Sequence, residues 1–126
     1  MSMKTIWTGR ILSWIVGLFV LTSGLNLIFI RSADLRESFA KFGYPESTMT
    51  GVGVAALVSS ALYLIPRTSP WGVILLTGYL GGAVATHVRI GDPTFVAPAV
   101  FGILAWVGLY LRNDRLRSLV PLIAER

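Results

Sequence analysis

Four long apolar stretches, separated by short polar links, organise the 126 residues. The first, residues 11–30, runs for 20 residues without a charge. At about 1.5 Å of rise per residue, a helix of that length spans the hydrocarbon core of a bilayer. The others cover residues 49–65, 71–88 and 94–111, with 17, 18 and 18 residues. Pro66-Arg67 closes the second stretch. Ser69-Pro70 and Asp92-Pro93 open the third and fourth, each a capping side chain followed by a proline at the first helical position. Pro98 lies inside the fourth stretch and removes a backbone donor, which predicts a kink near its start.

Short links force neighbouring helices to run antiparallel. The pattern therefore predicts an all-α fold: one domain over residues 1–126, a four-helix transmembrane bundle running up-down-up-down. The only long link, residues 31–47, places Leu35, Phe39 and Phe42 on one side of a short amphipathic helix over 32–41, capped by Ser32 or started near Asp34. Gly43-Tyr44-Pro45 breaks it. Such a helix is expected at the membrane interface, with Phe39 and Phe42 dipping towards lipid or the bundle. The tail, residues 113–126, alternates basic and aliphatic side chains (Leu116, Leu119, Val120, Leu122) and reads as a surface-lying anchor. The first stretch is too long for the apolar region of a secretory signal, and Leu25-Asn26-Leu27-Ile28 offers no small-residue cleavage site, so it is expected to remain.

Composition supports lipid as the missing solvent. Apolar residues make up 54% of the chain and charged residues only 13%, about half the charged fraction of a soluble domain. The absence of cysteine excludes disulfides, thiol redox chemistry and thiolate metal sites. The net charge of +5 does not form a nucleic-acid footprint, because the basic residues stand singly between apolar runs. Counted by side, Lys4, Arg10, Arg67, Arg112, Arg115, Arg117 and Arg126 oppose Arg31, Arg36, Lys41 and Arg89, seven against four. The positive-inside rule then puts both termini in the cytoplasm. Trp7, Trp14, Trp71, Tyr44 and Tyr110 fall near the predicted boundaries, as an aromatic belt would, whereas Trp106 and Tyr63 lie deeper and read as packing.

Membrane helices associate through small residues and a few polar contacts. Gly78, Gly82 and Thr86 are spaced by four, as are Gly81 and Ala85 and also Gly51, Ala55 and Ser59; Gly17 and Gly24 open gaps in the first stretch. All read as packing seams.

Candidate chemistry is sparse. The six acidic residues all lie outside the apolar stretches, which removes a buried carboxylate dyad. One histidine without cysteine or clustered carboxylates cannot fill a zinc shell, so no metal site is expected. One cluster stands apart. His87, Arg89 and Asp92 occur together at the end of the third stretch, on the side that also receives Asn26 and the 31–48 link. Tyr79, Ala83, Thr86 and His87 share a helical face. A pocket there would present Asn26, Tyr79, Thr86 and His87, with Arg89 and Asp92 at its mouth. Two readings stand. In one, His87 is an interfacial histidine bonded to a loop carbonyl, while Arg89 and Asp92 clamp a turn. In the other, His87 binds a ligand or transfers a proton.

Three segments carry a family resemblance: Tyr63-Leu64-Ile65-Pro66-Arg67-Thr68; Leu76-Thr77-Gly78-Tyr79-Leu80-Gly81-Gly82-Ala83-Val84-Ala85-Thr86-His87-Val88-Arg89; and Trp106-Val107-Gly108-Leu109-Tyr110-Leu111-Arg112-Asn113-Asp114-Arg115-Leu116-Arg117. Together with Ser23-Gly24 they resemble bacterial DoxX-like membrane proteins over nearly the whole chain. The resemblance implies a four-helix bundle in the bacterial inner membrane. It also implies a link to quinone-dependent redox or detoxification systems, the family being named for a small subunit of quinone-linked sulfur oxidation. Similar sequences often carry a lysine after the Ser-Gly and a glutamate in the second helix. Here those regions read Leu25-Asn26-Leu27 and Val54-Ala55-Ala56-Leu57, so both partners of such an ion pair are missing.

The expected function is a membrane subunit or accessory that binds a quinone or other lipophilic small molecule, beside a redox partner or as a homo-oligomer. One alternative is a stand-alone membrane enzyme with His87 as catalytic acid or base. Another is an assembly or scaffold factor.

Overall fold

The structure, a computed structural model, describes residues 2–120. Every regular element among them is helical. Helix α1 (Met3–Leu25) starts upstream of the first apolar stretch because Ser2 caps it, its hydroxyl accepting from the Thr5 amide at 3.2 Å. It passes directly into a π-helical turn, Asn26–Ile30, that ends when Arg31 takes a left-handed conformation at φ 52°. That conformation is costly for a residue with a β-carbon. The Arg31 side chain holds it, donating to Thr50 Oγ1 and to the Glu46 carbonyl, both at 3.0 Å.

Helix α2 (Ala33–Phe42) forms in the long link, with Ser32 capping its start and Gly43 at φ 83° ending it. Its apolar face turns towards the protein. Phe39 is buried against Leu27 and Met49, and Leu35, Phe42 and Val52 pack around them. Helices α3 (Thr48–Leu64), α4 (Ser69–Arg89) and α5 (Val96–Arg112) follow, α5 entered through a short 3₁₀ turn, Pro93–Phe95. Helix α4 begins at Ser69 itself, which spends its hydroxyl on the Ile65 carbonyl (2.9 Å) and leaves Thr68 in the cap position. A short helix, α6 (Asp114–Leu119), starts the tail. The tail's last part, with Leu122, lies outside the described residues.

Each long helix touches two others: α1 packs on α3 and α5, and α4 closes the square against both. The contacts run in opposite senses along neighbours, with Gly24 beside Gly53 and Gly17 beside Leu64, and Gly9 beside Gly108 while Phe19 stacks on Phe101. Glycines make these approaches possible. A β-carbon at Gly24 would meet the Gly53 carbonyl oxygen at 2.9 Å, and one at Gly9 would meet that of Gly108 at 2.7 Å. The tightest crossing is between α3 and α4, where a β-carbon on Gly72 would collide with the Tyr63 backbone. Beside it sits the polar centre of the core. The fully buried Tyr63 donates its one hydroxyl proton to the Ala105 carbonyl (2.7 Å). That proton is shared with the Ser13 oxygen, 3.1 Å away. Arg112 stacks over the Tyr63 ring and donates to its carbonyl at 2.8 Å.

The outer faces are as apolar as the core. Ile11 (56% exposed), Trp14 (51%), Ile74 (56%) and Ile103 (64%) lie on the outside of the bundle. Helices apolar all round belong in lipid. Three are long and apolar enough to cross a membrane, Met3–Ile30, Ser69–Arg89 and Pro93–Arg112, and the apolar helix Thr48–Leu64 is shorter, with 17 residues.

Candidate functional site

From the tight crossing at Gly72, α3 and α4 splay apart. A β-carbon at Gly78, Gly81 or Gly82 would find no atom within 4 Å. The glycine stripe of α4, expected to be a packing seam, is therefore open, as is Gly51 on α3; Gly17 and Gly24 make close contacts as expected, and the others fall at Gly9, Gly53, Gly72 and Gly108. The gap between α3 and α4 is a cavity of about 470 Å³. Its walls are Val52 and Ala55 from α3 and Gly78, Tyr79, Gly82, Ala83, Thr86 and His87 from α4. Phe39 and Phe42 of α2, with Tyr44, cover one side, and Thr48 completes it.

The cover is fastened at three points. Tyr44 and Thr86 share a hydrogen bond of 2.9 Å between hydroxyls. Arg89 donates to the Phe42 carbonyl and lies 5.7 Å from the Tyr44 ring centre. The Phe42 ring meets the His87 ring edge-on at 4.9 Å between centres. Arg89 thus reaches across to α2 and does not clamp the turn to Asp92. Asp92 works locally, accepting from the Thr94 amide at 2.9 Å and the Thr94 hydroxyl at 2.7 Å. Those two bonds, helped by the positive side chain of Lys41, hold its carboxyl below the usual range.

His87 Nδ1 lies 2.7 Å from the Ala83 carbonyl, one turn back on its own helix. A carbonyl only accepts, so Nδ1 carries a proton, and on a neutral ring Nε2 is then the acceptor. The partner is a helix carbonyl, not the loop carbonyl expected. Tyr79, half-buried, makes no hydrogen bond among the described residues. A second, smaller cavity of about 230 Å³ lies between α1, α4 and α5, and Tyr79, Ala83 and His87 line it too.

Of the six residues expected at the site, Tyr79, Thr86 and His87 meet in the larger cavity. Arg89 fastens the cover and Asp92 caps the turn. Asn26 lines neither cavity; its side-chain oxygen is buried without a hydrogen-bond partner where the π-helical turn begins. Phe39, Phe42, Tyr44, Val52, Gly78 and Gly82 were not legible as site residues. Only the amphipathic face of residues 32–41 hinted at the first two. Among the described residues, no group of three histidines, cysteines or carboxylates could hold a metal ion.

The sequence profile of the DoxX-like family matches residues 11–108 of the chain. No curated protein and no solved structure matched it.

Proposed function

The chain belongs to the DoxX-like family of membrane proteins, and from that premise we propose that it holds a lipophilic ring compound, a quinone being the first candidate, in the cavity between α3 and α4. The cavity itself carries this reading. Its volume falls within the range of small-molecule sites, and its walls are apolar except for a few hydroxyls and one ring nitrogen. The glycine backbone of Gly78 and Gly82 offers a flat wall against which a planar ring can lie, facing Phe39 and Phe42. Tyr79 brings a hydroxyl free to donate, and His87 Nε2 an acceptor, to the oxygens of such a ring.

In this reading all four long helices cross the inner membrane of a bacterium as an up-down-up-down bundle, α3 being the short span. Helix α2 lies at the outer interface and both termini face the cytoplasm, where most of the basic residues collect. The protein serves as a subunit or accessory to a redox or detoxification partner, which would reach the ligand through the membrane plane.

The test is extraction of the protein purified in detergent, with mass spectrometry for co-purified quinone. Gly78→Leu fills the cavity from a position with open space, and should lower occupancy at least tenfold while leaving the fold intact. His87→Ala and Tyr79→Phe should each lower it several-fold. Equal occupancy in all four proteins places the ligand elsewhere and ends the proposal.

A second reading has one specific observation in its favour. The Ala83 carbonyl fixes the His87 tautomer, as an orienting acceptor does for a general base. His87 would then take a proton at Nε2 from a bound lipophilic substrate.

A further inference from the structure

The two cavities share a wall one side chain thick. Tyr79, Ala83 and His87 line both, so this stripe of α4 has the 470 Å³ space on its α3 side and the 230 Å³ space on its α5 side. The residues are spaced by four, and about 12 Å of helix axis separates Tyr79 from His87. Along that length the stripe carries only the methyl group of Ala83 between two large side chains. An alkyl chain, whose atoms approach neighbours to about 4 Å, fits over such a low point.

The two spaces differ in chemistry. Besides the shared Tyr79 and His87, the larger contains Thr48, which donates to the Pro45 carbonyl, and the pair Tyr44 and Thr86, which uses one of its two hydroxyl protons between its members and keeps the other to donate. The smaller is floored by Phe19 stacked on Phe101 at 4.4 Å, with Val20, Leu80, Ala97 and Pro98 around them. Its own two hydroxyls are already committed, Ser23 donating to the Phe19 carbonyl and Thr94 to Asp92.

We infer that the two cavities form one bipartite site for an amphiphile made of a polar ring and an apolar tail. The ring lies under α2, and the tail crosses over Ala83 into the space between α1, α4 and α5. This rests on the ligand-binding reading above and adds to it the shape of the ligand and a residue, Ala83, that selects for a tail. A tail gains little from leaving lipid for an apolar cavity, since the two are equally apolar. Position, not affinity, is therefore what must be measured.

The probe is a 2-methyl-1,4-naphthoquinone ring bearing an eight-carbon chain that ends in a diazirine. The full-length protein in lipid nanodiscs is irradiated with it, and labelled peptides are mapped by mass spectrometry. Label is expected on the segments holding Phe19 to Ser23 and Ala97 to Phe101, and excess 2-methyl-1,4-naphthoquinone should suppress it. Ala83→Phe should reduce label on those segments at least fivefold while the ring compound still competes for the remainder on α2 and α3. The wild-type map stands even if that variant does not fold. Competition by the ring compound, with wild-type label confined to α2, α3 or lipid, overturns the bipartite site and leaves the larger cavity as the ligand site. Labelling that the ring compound does not suppress overturns both.

Discussion

Gly72→Ala asks whether the α3–α4 crossing is as close as the geometry requires. The added methyl carbon would strike the Tyr63 amide nitrogen, the Tyr63 α-carbon and the Leu62 carbonyl carbon. Even the farthest of these stands at 2.5 Å, where ordinary contact begins at 3.4 Å. All three are backbone atoms, so no side chain can rotate away and the helices must separate by about 1 Å. A gap of that size forfeits a quarter to a half of each dispersion contact along the crossing. It also disturbs Tyr63, which carries the hydrogen bonds to Ala105 and Ser13. Overpacking costs typically run at about 1–3 kcal/mol, and a purely backbone clash belongs at the top of that range. The matched control is Gly78→Ala, on the same helix with open space around it. There the change removes glycine's conformational penalty and should be neutral or stabilising by up to about 1 kcal/mol. Reversible unfolding by SDS in mixed micelles, followed by tryptophan fluorescence, reads both. Equal stability of the two variants would refute the tight crossing, and with it the account of why the helices splay beyond it.

Two other outcomes follow from named contacts. Tyr63→Phe removes the phenol that bonds Ala105 and Ser13 without changing the packed ring; it should cost about 1 kcal/mol in the same unfolding experiment. Asp92 predicts a pH dependence. Its folded pKa lies below the ordinary carboxylate value, so its contribution is present above that value and is lost as the pH falls through the folded one. Asp92→Ala should therefore lower stability at neutral pH and narrow its difference from wild type in strongly acidic buffer, measured by SDS titration across the acid range. A difference that does not change with pH would assign the effect to something other than the carboxylate.

The all-helical fold and its long apolar helices were readable because membrane helices obey one dominant constraint. Backbone groups in lipid must bond within their own segment, so an uncharged stretch near 20 residues leaves few choices. The cap at Ser32, the break at Gly43 and the Asp92-Pro93 start all stand where local chemistry puts them. The start of α1 did not emerge, since Lys4 and Arg10 interrupt the apolar run while the helix continues through both. Nor did the π-helical turn at Asn26, which ends where Arg31 reaches across to Thr50 and Glu46.

The site shows where pattern reading stops. Gly72 and Gly78 are both glycines of one apolar helix, yet one touches a neighbouring backbone and the other faces open space. Spacing by four says that a face is smooth, not whether another helix lies against it. That is decided by how α3 and α4 cross, closely at Gly72 and Tyr63 and more openly beyond. The polar residues of α4 follow the same logic. Tyr79, Thr86 and His87 were grouped by helical period alone, and the splay gives that face a lumen to point into. Asn26 was grouped by membrane side alone, and sharing a side is not sharing a cavity. A smooth face opposite aromatic side chains supplied by an amphipathic link is therefore the combination that separates a cavity wall from a helix seam in this chain.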